Sequence, residues 1–227
     1  MKGMFLSLAA TVAAISAVPA QAVTILPGTS GLVFDPFSMI AATQGTALAT
    51  TSVTGTGLTF SATMRSAVYR NTLGTLDFYY QVARTGPGTQ GDEDVDAFTA
   101  ANFVTFGVDG FVSAVDIDGA GFFTNAFNPP SSTTRTGRSA SGVTLQTDFG
   151  LNGLTANEIS AIYVFRTDAT AYTSGTFGII DGSTISGIAF APINPVPEPA
   201  TWGLMLVGFG IVGSALRRRK VSVAYSL

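Results

Sequence analysis

Four carboxylates fall within five residues at Asp92-Glu93-Asp94-Val95-Asp96, directly after the turn-like run Gly86-Pro87-Gly88-Thr89-Gln90-Gly91. Clustered carboxylates on a loop supply the hard oxygen ligands that Ca²⁺ prefers, which makes Asp92, Asp94 and Asp96 candidate metal ligands. The spacing does not complete an EF-hand. Phe103 stands where the bidentate Glu would fall, and no glycine turn follows Asp96-Ala97. A solvated acidic loop explains the same residues without a metal. A second pair, Asp116-Ile117-Asp118-Gly119, places two carboxylates on one side of a strand end, with Asp109-Gly110 as a turn before that strand. Paired carboxylates also serve glycoside hydrolysis, but no motif here specifies such a pair.

The remaining catalytic chemistries lack their parts. The chain has no Cys and no His. That removes thiol nucleophiles, disulfides, zinc–thiolate sites and the commonest general base. No G-x-S-x-G is present, and Gly55-Thr56-Gly57 has neither the lysine nor the strand–loop–helix setting of a phosphate loop. Cofactors are therefore not expected, Ca²⁺ at the acidic loop excepted, and a non-enzymatic role is the expectation.

The elements that hold these carboxylates read as strands. Apolar and polar residues alternate over Leu58–Met64 and, less regularly, over Leu76–Val82. Further candidates are Asn102–Val108, Phe111–Ile117, Val143–Phe149, Ile159–Arg166, Ala171–Ile180 and Thr184–Phe190. β-Branched and aromatic residues fill them, while Gly, Asp, Asn and Pro punctuate them. Leu154–Ile159 is read as at most one helical turn. Intervals of roughly 8–14 residues predict an all-β fold, a single antiparallel β-sandwich or jelly-roll-like domain. Pro129-Pro130 followed by Ser131–Ser139 reads as a low-complexity loop, open to O-glycosylation. Exposed aromatics of the strands could stack on sugars, although a core accounts more simply for most of the 17 Phe.

Charge separates this domain from its ends. Residues 23–196 hold six Arg, no Lys and thirteen Asp or Glu, a net charge of −7. A lysine-free acidic domain argues against nucleic-acid binding. The other cations sit at the termini. Lys2, the apolar run Met4–Val18 and Ala20-Gln21-Ala22 have the order of a secretory signal peptide, which predicts cleavage at the Ala20/Ala22 site, before Val23. Residues 1–22 are thus the signal peptide and 23–195 the β-sandwich ectodomain.

Residues 196–220 have their own order: Pro197-Glu198-Pro199, then the uncharged stretch 200–216, then Arg217-Arg218-Arg219-Lys220. The two prolines disfavour helix in the residues before them and keep the triplet extended. The 17 residues that follow, as a helix, rise roughly 25 Å, short against a ~30 Å hydrocarbon core. Trp202 stands where an indole favours the interface. Gly208, Gly210 and Gly213 are tolerated in membrane helices and allow close approach. The four cations stop transfer and keep that end cytoplasmic. The expectation is a transmembrane helix at 200–216 with a basic stop at 217–220.

This order resembles the PEP-CTERM sorting signal of Gram-negative bacteria, matched at Pro197, Glu198, Pro199, Ala200, Trp202, Met205, Gly208, Phe209, Gly210, Gly213, Leu216 and Arg217–Arg219. Leu204 precedes Met205 where the family often has two methionines, and seven residues follow the basic cluster. The resemblance implies an exosortase as partner, a multi-spanning membrane protease or transpeptidase that cuts near the triplet. It implies a transient anchor in the cytoplasmic membrane, then a place in the cell envelope, on the surface or in the extracellular matrix. It also implies an association with exopolysaccharide and biofilm, with extracellular polysaccharide as a partner. Gly74–Val82, Tyr172–Gly175 and Ile180-Asp181-Gly182 more loosely resemble ectodomains carried on such signals. They imply an exported all-β module and no particular activity.

Overall fold

The computed structural model describes residues 22–34, 45–113, 121–126, 134–151, 153–194 and 199–217. Its strands are β1 (Val23–Thr24), β2 (Leu32–Val33), β3 (Thr46–Thr56), β4 (Phe60–Arg70), β5 (Leu76–Pro87), β6 (Ala97–Ala100), β7 (Val108–Ser113), β8 (Arg135–Arg138), β9 (Leu145–Asp148), β10 (Ile162–Thr167), β11 (Ala171–Asp181) and β12 (Ser183–Ile193). They form two six-stranded antiparallel sheets, in the orders β1-β7-β10-β5-β4-β3 and β12-β11-β6-β9-β8-β2. One helix follows, α1 (Pro199–Arg217). The all-β, antiparallel, two-sheet expectation is met.

The alternation in the sequence becomes the two faces of each sheet. In β4, Phe60, Ala62, Met64 and Val68 are buried, whereas Ser61, Thr63 and Arg65 are half-exposed. From β5, Phe78, Tyr80 and Val82 enter the same core, facing Phe98, Phe177 and Ile179 of the second sheet. Aromatic rings dominate the contact. Phe98 lies 5.2 Å from both Tyr163 and Phe177, the latter edge-to-face, and Tyr80 lies 5.2 Å from Phe177. Offset and edge contacts of this kind add to simple area burial. The Tyr80 hydroxyl donates to the Phe190 carbonyl, and burial pushes the phenols of Tyr80 and Tyr163 up. The outer face of β5 is also covered. Tyr79 packs with Tyr69 and Phe123, and Gln81 donates 2.6 Å to the Thr124 carbonyl.

The sheets close tightly where β12 crosses β3 and β4. A Cβ on Gly55 would stand 2.5 Å from Ile185 Cγ2, and one on Gly187 would stand 2.7 Å from Met64 Cε. A side chain at either position would have to displace Ile185 or Met64, so the close approach favours glycine.

The structure corrects three sequence readings. Asn102–Val108 is not a strand before Val108: Asn102 and Thr105 have φ of 74° and 72°, the left-handed region that a strand excludes. Leu154–Ile159 is a turn rather than a helical turn. Asn157 has φ 64°, and the Glu158 carboxylate accepts 2.8 Å from the Thr155 N–H. β1, β2, β3, β6 and β8 were not anticipated.

Candidate functional site

Two regions carry the residues singled out by sequence. At the tail, the expected helix forms over Pro199–Arg217. Proline suits the first turn, whose N–H groups have no partner within the helix. Arg217 lies in the last turn, where a cation complements the helix dipole. Every side chain from Trp202 to Arg217 is exposed, including Leu204, Leu206, Phe209 and Ile211. Gly203, Gly208, Gly210 and Gly213 have open space around them. The structure does not show the expected span at 200–216 as an apolar crossing helix. Among the described residues no helix is long and apolar enough to cross a membrane. Nineteen residues rise roughly 28 Å, and four glycines, Thr201, Ser214 and Arg217 dilute the apolar character. Pro197, Glu198 and Arg218–Lys220 lie outside the described residues, as do the signal run with Ala20, the pair Asp116/Asp118 and Pro129–Thr133. Ala22 is exposed.

The acidic loop is built into the fold. Val95 is fully buried and exchanges backbone hydrogen bonds with Leu154. Asp96 N–H donates to the Ile180 carbonyl at 3.2 Å. The side chain of Arg84, 1 % exposed, reaches under the loop from β5. Its Nε donates 2.9 Å to the Glu93 carbonyl, and its Nη2 pairs with the Asp92 carboxylate. Asp181, at the β11–β12 turn, completes the group. Burial, and then the charges of Asp96, Glu93 and Asp94, push its carboxyl above the usual range, while Arg84 pulls the other way. Asp181 Oδ2 and Arg84 Nη1 are buried without a hydrogen-bond partner among the described residues.

This arrangement spreads the candidate metal ligands instead of converging them. Asp92 turns to Arg84. Among the described residues no group of three or more His, Cys, Asp or Glu side chains is placed to hold a metal. A guanidinium at the centre of the group already answers much of its negative charge. Sequence reading missed Arg84 and Asp181 as members. The one hint was a lone arginine closing the apolar run of β5.

A third region was not anticipated. Thr29, Ser30, Gly137, Ser139, Gln146 and Asp148 border a shallow groove of about 240 Å³ on the outer side of β8 and β9. A Cβ on Gly137 would stand 2.7 Å from the Thr29 carbonyl. Gln146 Nε2 donates 2.9 Å to Asp148 Oδ1. Behind the groove, Arg138 is 5 % exposed and donates to the carbonyls of Gly142 and Phe106, at 2.9 Å each, and of Phe103. Burial lowers its affinity for the proton, and Asp168 partly restores it. With its donors on backbone carbonyls, Arg138 is a structural strut.

The tail carries the motif that a comparison finds. The family model for the PEP-CTERM protein-sorting motif matches residues 195–220. The chain carries a PEP-CTERM sorting signal. The match begins one residue after Asn194, which follows β12, and takes in the whole of α1. A PEP-CTERM signal implies export, a precursor held at its C-terminal end and exosortase-dependent sorting. No curated protein and no solved structure matches the chain.

Proposed function

We propose that this PEP-CTERM protein is an exported, non-enzymatic cell-surface or extracellular-matrix protein. The β-sandwich is the cargo. The tail is a temporary handle that an exosortase recognises and cuts near Pro197–Pro199. The observation that carries this reading is the match at 195–220 on a helix whose described side chains are all exposed, directly after the last strand. An apolar helix whose described side chains are all exposed favours an apolar partner outside it. The membrane, or the intramembrane part of an exosortase, fills that need for the precursor. The cations after Leu216 can snorkel to lengthen a short span. The signal peptide at 1–22 supplies the export step and sets the triplet outside and the cations inside. The proposal extends to an association with exopolysaccharide and biofilm, which the resemblance of the tail implies.

Intact-mass spectrometry of the protein from its host tests this. A mature C-terminus near Pro197–Pro199 is expected when exosortase is active. An intact Arg217–Leu227 tail under that condition overturns the processing claim.

A second reading, a glycan-binding module, is favoured by the groove over β8 and β9. Hydroxyls and an amide–carboxylate pair, Gln146 with Asp148, suit vicinal sugar hydroxyls. Calorimetry with the host's exopolysaccharide tests it: binding heat that Gln146→Ala abolishes supports the reading, and no heat from the unaltered chain rejects it.

A further inference from the structure

The two sheets end differently on their two sides. On one side the edge strands are β1 and β2, of two residues each. On the other side they are β3 and β12, of eleven residues each, and neither contains a charged residue. Long edge strands present rows of unpaired N–H and C=O groups, and proteins usually guard them with short length, charge, proline or bulges. β12 is partly guarded. Pro192 stands in it, opposite Tyr172, and has no N–H to offer. β3 has no proline, and its one irregularity lies between Ala47 and Ala49, which leaves Ala49–Thr56 in unbroken register with β4. Among the described residues no strand pairs with its other side.

The hairpin fixes which groups point off this edge. Gly57 N–H donates 2.9 Å to the Phe60 carbonyl, so that pair is hydrogen-bonded. Antiparallel pairs alternate between bonded and non-bonded. Hence Thr54–Thr63, Ser52–Arg65 and Thr50–Ala67 are non-bonded pairs, and Thr50, Ser52 and Thr54 aim their backbone groups outward. The close approach of the Thr54 and Thr63 hydroxyls, 2.9 Å, agrees with this parity.

We propose that β3 pairs antiparallel with β3 of a second copy, about a two-fold axis at Ser52. The sequence is self-complementary in that register. Ser52 meets Ser52, Thr50 meets Thr54, and Thr51 meets Val53, so outward residues meet outward residues and inward meet inward. Each outward pair exchanges two backbone hydrogen bonds. The outward side chains that meet are hydroxyls, with no charge to oppose them, and Thr–Thr or Thr–Ser pairs stabilise sheets. The six-stranded sheet then continues across the axis. The isologous contact closes on itself, so β3 alone gives a dimer.

The chain has no cysteine, so Ser52→Cys introduces a single thiol. In full-length protein held in detergent micelles, a short bis-maleimide linker is expected to join two chains through Ser52→Cys, and far less through Leu73→Cys on an exposed loop. Sedimentation is expected to show a concentration-dependent dimer, weakened about tenfold or more by Ser52→Lys, which sets two like charges opposite each other. Near-UV circular dichroism checks that this exposed substitution leaves the fold intact. A monomer at all concentrations overturns the proposal. So does a dimer that Ser52→Lys and Thr54→Lys leave unchanged and that cross-links through Gly203→Cys instead, since that dimer is held by α1.

Discussion

The Tyr80 hydroxyl, on β5 of one sheet, donates a 2.5 Å hydrogen bond to the carbonyl of Phe190 on β12 of the other. The same ring lies against Phe98, Phe165 and Phe177. One residue thus ties the two layers through both its polar and its apolar parts. Tyr80→Phe removes the bond, keeps the ring and leaves a carbonyl short of a partner. Urea unfolding should show a loss of about 1–3 kcal/mol with an unchanged m-value.

Asp77 is fully buried and answers two elements at once. Its carboxylate accepts from Asn71 Nδ2 at 2.7 Å and from Arg166 Nε and Nη2 at 3.1 and 3.2 Å. Arg166 also lies 5.0 Å over the Phe111 ring. Asp77→Ala removes the buried acceptor that Arg166 and Asn71 share. The expected loss is about 3–5 kcal/mol, read by thermal and urea melts.

Much of this architecture was legible in the chain, and the exceptions have physical reasons. β5, β10, β11 and β12 announce themselves because aromatic and β-branched residues alternate along them. β3 does not. Its residues are Thr, Ala, Ser and Gly with a single Leu and a single Val, since it is an edge whose inner face meets glycine-bearing β12 at close range. β8 reads as a polar loop because Thr136 and Arg138 are buried in it, satisfied by Gln146 and by backbone carbonyls that come from distant segments. The sorting signal was legible because its chemistry is local in sequence. The acidic group was only half legible, because Asp181 joins it through strand pairing and not through sequence proximity.

Asp181 supplies a pH prediction with a definite sign. Its carboxyl is raised in the folded protein, chiefly by burial and then by Asp96, Glu93 and Asp94. A folded state that holds the proton more tightly gains stability at low pH, and loses it as pH rises from the ordinary carboxylate range through the raised value. Asp181→Asn should therefore raise the melting temperature at pH 7. The gain should shrink as the pH falls through the raised value and vanish below about 4.

Asp92 should behave as a partner of Arg84, not of a divalent ion. Millimolar Ca²⁺ and EDTA should leave the melting temperature of the full chain unchanged. Asp92→Asn should lower stability by roughly 1 kcal/mol, since its own side chain is largely exposed and solvent takes up part of the loss. A Ca²⁺-dependent rise in melting temperature that Asp92→Asn, Asp94→Asn and Asp96→Asn abolish would reverse this assignment.

Between the last residue of β12, Ile193, and the first of α1, Pro199, the chain has only five residues. Fully extended, that leash reaches about 20 Å. On the proposed processing, a protease active centre has to reach Pro197 and Glu198 inside that gap, beside Pro199 at the head of the helix, with a folded sandwich on one end and the helix on the other. Cleavage is then a contest for room as much as for sequence. Inserting ten Gly/Ser residues after Asn194 should speed release of the domain, whereas deleting one or two should slow it.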